Sequence, residues 1–558
     1  MNPFSKSFMP KLIMNLVGAP LLKKFTAASL DAQKAEQEFI SRLVAECRDT
    51  RFGKDNGFDK IKTVQDYRKA LPVRTFEDFR PYIDRMCKGA ADELFPGKPL
   101  IYNTTSGTTS KPKLIPISPQ YLQNVHNTLS RLWLYTCSKD NPGLFNGKSF
   151  SAVSPAEEGR VEDGTPYGSI SGITYKNIPG ILKKTYSTPY PVLCIKDYSE
   201  KYYAMMRCAL AESISYIICP SPSNLLRFHA TIIENFDDMI KDIHDGTLRK
   251  SAANLLHGAD KEEVLAYFKP KPKRAHRLET LRQRFGSDLR PRHYWPDLAC
   301  LNIWKQGNFR LVLPQLEGYF DQQTVMRTFG YFASETRGVV LSNDWDYAVL
   351  PYHLSHYEFI EEQQRETREP RALSAHEVEV GKRYYLIFSN GTGLYRYDIN
   401  DLIEIAGFYN RFPLIKFIQK GEGVTSLSGE KLTELQVIQA VQDVMSAHNI
   451  PASFYRMYCD EQAAEYVLYA EFAPETPAEA QQSFAAHVDT QLQKLNREYA
   501  GKRGSQRLKP PVVRELSQDS AQKFKEALIA RGTRDGQYKE CYLTRNTVHL
   551  QILKQLQK

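Results

Sequence analysis

Residues 105–110 are six consecutive small residues, five of them bearing hydroxyls, and two lysines follow at once: Thr105-Ser-Gly-Thr-Thr-Ser-Lys-Pro-Lys113. Small side chains let a bent backbone approach a polyphosphate and turn its N–H groups inward. Hydroxyls add donors, and a lysine supplies opposing charge. The stretch is not a Walker A loop, because GxxxxGK followed by Ser or Thr is absent. On composition alone a Ser/Thr-rich surface turn is an equal reading. A second constellation, His353-x-x-His356 with Glu358, could ligate zinc, but it lacks HExxH and a third ligand at firm spacing, so a strand or loop is expected there. Between Lys269 and Arg292 nine basic residues face two acidic ones, a density that suits nucleic acid or a membrane surface. Leu278, Leu281 and Phe285 keep helical spacing inside it, which favours a solvated helix whose apolar edge packs on the domain.

These residues must be held by a large framework. The chain has 558 residues, 42% hydrophobic and 25% charged, a balance that excludes large-scale disorder and calls for at least two domains. Its 31 glycines and 31 prolines follow no short period, which excludes a collagen-like design. A net charge of +10 suits anionic small molecules without requiring nucleic acid. Nine scattered cysteines form no CxxC pair, so neither a disulfide framework nor a zinc module is indicated, and a reducing, cytoplasmic setting is expected. Residues 1–29 hold no acid, and Leu12 to Leu22 is mostly apolar between Lys11 and Lys23–Lys24. Asn15 and Pro20 interrupt that run, so it reads as a packed or surface-lying helix rather than a targeting segment, and no stretch reaches the ~18–20 apolar residues of a spanning helix.

Residues 34–47 read as a helix with Phe39, Leu43 and Val44 on one side; Tyr384–Phe388 and Leu402–Ile405 read as strands. Beyond Lys420–Gly429 the pattern changes. Thr433 with Gln436 forms a capping-box signature, Tyr466–Phe472 and Val512–Leu516 read as strands, and Phe484, Val488, Leu492, Leu495 and Tyr499 keep helical spacing. Asp519 opens what reads as the last helix, through Phe524 and Leu528 to Gly532. The expectation is a large domain over 1–420 and a small α+β domain over 421–558.

In order, Thr105–Lys113 resembles the signature loop of the adenylate-forming superfamily, with Ser110 in place of a glycine. Tyr331-Phe-Ala-Ser-Glu335 lies where that superfamily has Tyr-Gly-Ser-Ser-Glu, and Tyr397-Asp-Ile-Asn-Asp401 where it has Tyr-Arg-Val-Gly-Asp. Leu71–Phe79, Pro81–Arg85, Gly391–Tyr397 and Gln537-Tyr-Lys539 narrow the match. Over nearly its whole length the chain resembles the Gretchen Hagen acyl acid–amido synthetase family, known from plant hormone conjugation and also present in bacteria, and it is read as a bacterial member.

The resemblance implies a mixed α/β large domain with sheets and a barrel-like part, and a mobile small lid domain. It implies an ATP-dependent ligase that adenylates a carboxylic acid with magnesium and passes the acyl group to an amino acid. An acyl-CoA ligase and a non-catalytic ATP-binding protein are the alternatives. Carried over residue by residue, Thr105, Ser106, Gly107, Thr108 and Thr109 hold the triphosphate with Lys113 as charge partner. Tyr331 lies along adenine, Ser334 touches phosphate or acyl oxygen, and Glu335 ligates magnesium unless it pairs with Arg337. Asp401 holds both ribose hydroxyls, Lys420 matches a basic residue near the ribose, and Lys539 reaches the adenylate. Asp398 and Asn400 break the motif, so no role is assigned to them. Trp133, Tyr135 and Tyr175 could line an acyl site, but a place in the core is the favoured reading for each. The partners implied are a small carboxylic acid and an amino acid, not nucleic acid.

Overall fold

The computed structural model describes residues 8–105, 113–178, 180–306, 312–365, 370–427, 430–463, 465–504, 508–531, 533, 538 and 540–558. Among them the chain divides into two compact units, one through Thr105 and over Lys113–Ile418, the other Gln419–Lys558.

Among the described residues the first unit holds three sheets. Four parallel strands, in the order Lys148–Ser151, Ile214–Ile218, Cys300–Ile303 and Val325–Thr328, are buried almost throughout, as strands covered by helices on both faces must be. Helices Tyr198–Leu210 and Pro222–Glu234 share a core with them. A second sheet runs Lys113–Ile117, Ile101–Thr105, Pro166–Gly168, Gly159–Arg160. The third, in the order His356–Glu361, Arg383–Asn390, Leu394–Tyr409, Phe412–Lys420, Ala348–Val349, packs on the amino-terminal helices. Both strands expected from β-branched and aromatic content lie in it, and the expected helix forms as Ala32–Cys47.

Helix Phe8–Ser29 is a packed helix, with Phe25 set among Phe412, Tyr409 and His353. Gly18 lies so close to Tyr135 that a Cβ there would stand 2.2 Å from the ring. No helix among the described residues is long and apolar enough to cross a membrane. The basic segment forms helix Pro272–Phe285, whose buried Ala275 and Leu278 seat it on the unit. Arg274 caps carbonyls of Leu210 and Tyr294.

In the second unit, alternation along Glu465–Phe472 sends Tyr466, Leu468, Ala470 and Phe472 into one core and Val467 and Tyr469 into another. Helices Glu434–His448 and Ala478–Leu495 fill the first core, and the Thr433–Gln436 capping box opens the former. Two expectations are corrected here. The run from Phe484 to Tyr499 is two helices, because Asn496 leaves helical geometry to donate to Glu430 O (2.9 Å) and accept from Tyr499 N (2.9 Å). Helix Ser520–Ala530 is not the last: Thr547–Leu556 follows, and its Ile552 and Leu553 complete the second core with Phe524 and Leu528.

Candidate active site

Tyr331–Gly338 is a tight hairpin leaving the parallel sheet. Gly338 N donates to Tyr331 O (2.9 Å), Ala333 N to Thr336 O (2.9 Å), and Phe332 faces Arg337. Gly330 enters it at φ +67°, where a side chain would also meet Val340 at 2.6 Å, so only glycine fits. Two asparagines outside the sequence expectation pin the hairpin's acidic tip. Asn103 donates to Ser334 O (3.1 Å) and Asn390 to Glu335 O (2.8 Å). Asn390 directly precedes Gly391 and Asn103 lies two residues before Thr105, but neither residue type nor spacing marks them as site residues. Glu335 is only 7% exposed. The alternative pairing with Arg337 is not what forms: that guanidinium donates to Ser130 Oγ at 2.8 Å. Among the described residues no three His, Cys, Asp or Glu side chains converge on a metal position. A buried carboxylate such as that of Glu335 fits a hard cation that takes its other oxygens from phosphates and water.

Asp401 is brought to this hairpin by an irregularity in its strand. Tyr385 pairs with Leu402, yet Ile387 pairs with Asp398, so Leu394–Tyr409 bulges over 399–401. Bulges of this kind bend a strand and re-aim its side chains. The Tyr331 hydroxyl donates to Asp401 Oδ2 at 2.7 Å, joining two motifs 70 residues apart. Burial, then the Asp401 charge, lifts the Tyr331 phenol far above its ordinary value, so it stays a donor.

The broken motif positions build that bulge. Asn400 has φ +58°, a left-handed conformation that Gly and Asn tolerate, and its N–H is accepted by Asp398 Oδ1 at 2.8 Å. Asp398 also pairs with Arg365, which brings a guanidinium from another segment. Asn400→Gly is therefore expected to leave stability and activity within about twofold, whereas Asn400→Val strains the bulge by about 1–2 kcal/mol. Thermal melts and the KM for ATP of the two variants check this.

Lys113 starts the strand opposite Thr105, its ammonium 5.6 Å from the Phe76 ring centroid and near Glu77. Ser106, Gly107, Thr108, Thr109 and Lys539 lie outside the described residues. Lys420, exposed, ends its strand in the second unit. On either side of Lys539 in sequence, Tyr538 and Glu540 are both held by Arg456, which is fully buried and donates to them at 2.9 and 3.3 Å.

His356 is an ion-pair partner, not part of a zinc site. Its Nδ1 lies 2.9 Å from Glu36 and its Nε2 3.2 Å from Glu358, while Arg396 clasps Glu358 at 2.7 and 2.9 Å and Arg68 approaches at 3.1 Å. Trp133 stacks on Phe329, and Tyr175 donates to Thr188 O at 2.6 Å, both as core residues.

Models of the GH3 family N-terminal, central and C-terminal domains match residues 21–325, 347–420 and 435–548. The chain is 22% identical to the Arabidopsis thaliana indole-3-acetic acid-amido synthetase GH3.6, over 91% of this chain and 88% of that one. It is 21% identical to the jasmonoyl–L-amino acid synthetase JAR4 of Nicotiana attenuata, over 96% and 95%. The solved structure of the GH3.15 acyl acid amido synthetase superposes with a TM-score of 0.82 at 20% identity, over 96% of this chain and 95% of that one, which shows a common fold.

Proposed function

The chain belongs to the GH3 family, and from that premise we propose that it is an ATP-dependent acyl acid–amido synthetase. A carboxylate oxygen of the acid attacks the α-phosphorus of ATP, the bond to the bridging oxygen breaks, and pyrophosphate leaves. The amine of an amino acid then attacks the acyl carbon, AMP departs, and the amine gives up a proton. The acid needs no base, since a carboxylic acid of pKa about 4 is already ionised at neutral pH. The barrier is the meeting of two anions, so positioning and charge neutralisation dominate.

The observation that carries this reading is the Tyr331–Asp401 hydrogen bond, which unites the two motifs assigned to one nucleoside. Asp401 offers two acceptor oxygens to two ribose hydroxyls, Tyr331 flanks the adenine, and residues 105–109 with Lys113 take the phosphates. Ser334 turns to phosphate or acyl oxygen, and Lys420 serves the ribose side. Magnesium, when bound, supplies charge neutralisation, with Glu335 as its protein ligand. Residues 1–420 bind ATP and acid, and 421–558 bring Lys539, whose ammonium offsets charge developing on the α-phosphate. Relatives named for joining indole-3-acetic acid, 4-substituted benzoates or jasmonate to amino acids support an acid and an amino acid as substrates. A reducing cytoplasm is the compartment that fits nine free thiols.

The test is acid-dependent exchange of labelled pyrophosphate into ATP with pooled aromatic and aliphatic carboxylic acids. Exchange with one pool, followed by AMP release stimulated by amino acids and not by coenzyme A, is the expected result; stimulation by coenzyme A alone makes it a thioester ligase. ATP binding without exchange makes it a binding protein. Lys539→Ala is expected to slow exchange about tenfold or more, and full activity in that variant removes its assigned role.

A further inference from the structure

Arg337 is buried to 7% exposure, with no anion beside it among the described residues. Other deep arginines of the same unit use more of their donors, although the Nε of Arg327 is also without an acceptor. Arg207 donates to the carbonyls of Thr247 and Asp242. Arg327 donates to the carbonyls of Trp133 and Val340 and to the Thr136 hydroxyl. Arg396 is clasped by Glu358. Of the five N–H donors of Arg337, one is used, in the bond from Nη1 to the neutral Ser130 hydroxyl. Its Nε is enclosed with no acceptor. Among the described residues no carboxylate lies within ion-pair distance.

The groups around the guanidinium are aromatic or neutral. The guanidinium lies 4.4 Å from the Phe332 ring centroid. On the other side stands helix Asn127–Asp140 with Ser130, preceded by a π-helical turn at Leu122–His126, a backbone irregularity that recurs at functional sites. His126 sits on that turn, 3.1 Å from Thr174 Oγ1, and burial, then the Arg337 charge, drives it down to about 3, so it brings no second cation. The phenols of Tyr121 and Tyr357 face the same guanidinium and remain protonated, because burial raises both. Arg337 follows Glu335 by two residues, on a hairpin whose tip Asn103 and Asn390 hold fixed.

A guanidinium on the hairpin that carries Glu335, with no counter-charge among the described residues, is complementary to an anionic reactant, and since the phosphates of ATP are already assigned to residues 105–109 and Lys113, the substrate carboxylate is the anion left to it. Resting on the acyl-synthetase reading above, we infer that Arg337 is the carboxylate-recognition residue of the acid pocket, its planar fork receiving both oxygens of a substrate carboxylate. That carboxylate is either the reacting one or a second one on a dicarboxylic acid.

The experiment compares wild type, Arg337→Met and Arg337→Lys in thermal melts with millimolar benzoate, hexanoate and succinate, each with and without ATP and magnesium. A structural arginine and a ligand-binding one give opposite results without acid. Exchanging an uncompensated buried charge for an apolar side chain of similar length leaves Tm equal or higher, whereas loss of a structural arginine lowers it. The expected outcome is an unliganded Arg337→Met melting at or above wild type, with the wild-type shift for at least one acid abolished. Arg337→Lys keeps part of that shift, because it retains charge without the fork. In pyrophosphate exchange the acid KM of Arg337→Met rises about a hundredfold while that for ATP stays within twofold. Loss confined to succinate assigns Arg337 to a second carboxylate; loss for monocarboxylates assigns it to the reacting one. A lower unliganded Tm, a retained acid shift in Arg337→Met, or no shift in wild type with any of the three acids overturns the inference. A wild-type acid shift without any exchange sinks the enzymatic reading and leaves Arg337 as a carboxylate-binding residue.

Discussion

Glu335→Gln lowers acid-dependent pyrophosphate exchange by about two to three orders of magnitude, the scale on which a fixed electrostatic contact to a reacting group acts. The substitution is nearly isosteric and spares the backbone contacts that hold the hairpin, since Asn390 donates to the Glu335 carbonyl and Asn103 to that of Ser334. Loss of the fold is therefore not the expected route to loss of activity, and the melting temperature of the variant checks that point. The charge is what disappears, and with it the one carboxylate on this hairpin. A titration with magnesium separates the roles. If Glu335 ligates the ion, raising magnesium restores part of the lost rate in Glu335→Gln; if it only shapes the hairpin, magnesium has no effect on the ratio. Wild-type rates in the variant remove Glu335 from the site.

Glu358→Ala destabilises the large unit by about 3–5 kcal/mol, the range found when one member of a buried ionic network is deleted. Glu358 is fully enclosed and receives Arg396, Arg68 and His356, so its loss leaves the Arg396 guanidinium without a carboxylate and Arg68 with Glu36 alone. Arg396 also sits at φ +47°, a conformation held while its side chain reaches Glu358 and the Leu71 carbonyl. Denaturant midpoints of wild type, Glu358→Ala and Glu358→Gln measure the effect, the amide falling between the other two.

The same network has a pH signature. Burial opposes the ionised form of Glu358, but the hydrogen bond from His356 and the charges of His356, Arg396 and Arg68 prevail and hold its carboxyl far below the usual range. A depressed carboxylate contributes stability that is present above its unfolded pKa and is lost only as pH falls through the folded value, so strongly acid conditions are needed. His356 runs the other way. Burial opposes its charge, yet hydrogen bonds with Glu358 and Glu36 outweigh burial and raise it. Its contribution is complete below the unfolded value of 6.5 and declines as pH rises through the folded one. Wild type is expected to lose stability on the alkaline side of 6.5, and Glu358→Gln to show a flatter profile there.

The proposed site is legible in the chain because its groups come in short runs: Tyr331 to Glu335 and Tyr397 to Asp401 are contiguous, and they follow the Thr105–Lys113 stretch in the order on which the family resemblance rests. Asn400 illustrates why a motif break can be silent: the backbone requires a left-handed residue, and Asn meets that need nearly as well as Gly. Asn103 and Asn390 were not legible as site residues, since a hydrogen bond between elements more than 50 residues apart leaves no local pattern.

The amino-acid sequence by itself determined the mixed α/β class, the helices and strands with clear periodicity, and the motifs that could meet a nucleotide and an acid. Those properties depend on side-chain size, charge and spacing, all of which are local. Only the tertiary structure decided which charges are compensated. His356 and Glu358 could have met zinc, and prove to be ion-pair partners because Glu36, Arg68 and Arg396 fold in from three other segments. Arg337 could have neutralised Glu335, and instead stands apart from any described carboxylate because its hairpin turns it toward Ser130. Compensation of a buried charge is settled by distances of a few ångströms between residues distant in sequence, and folding alone sets those distances.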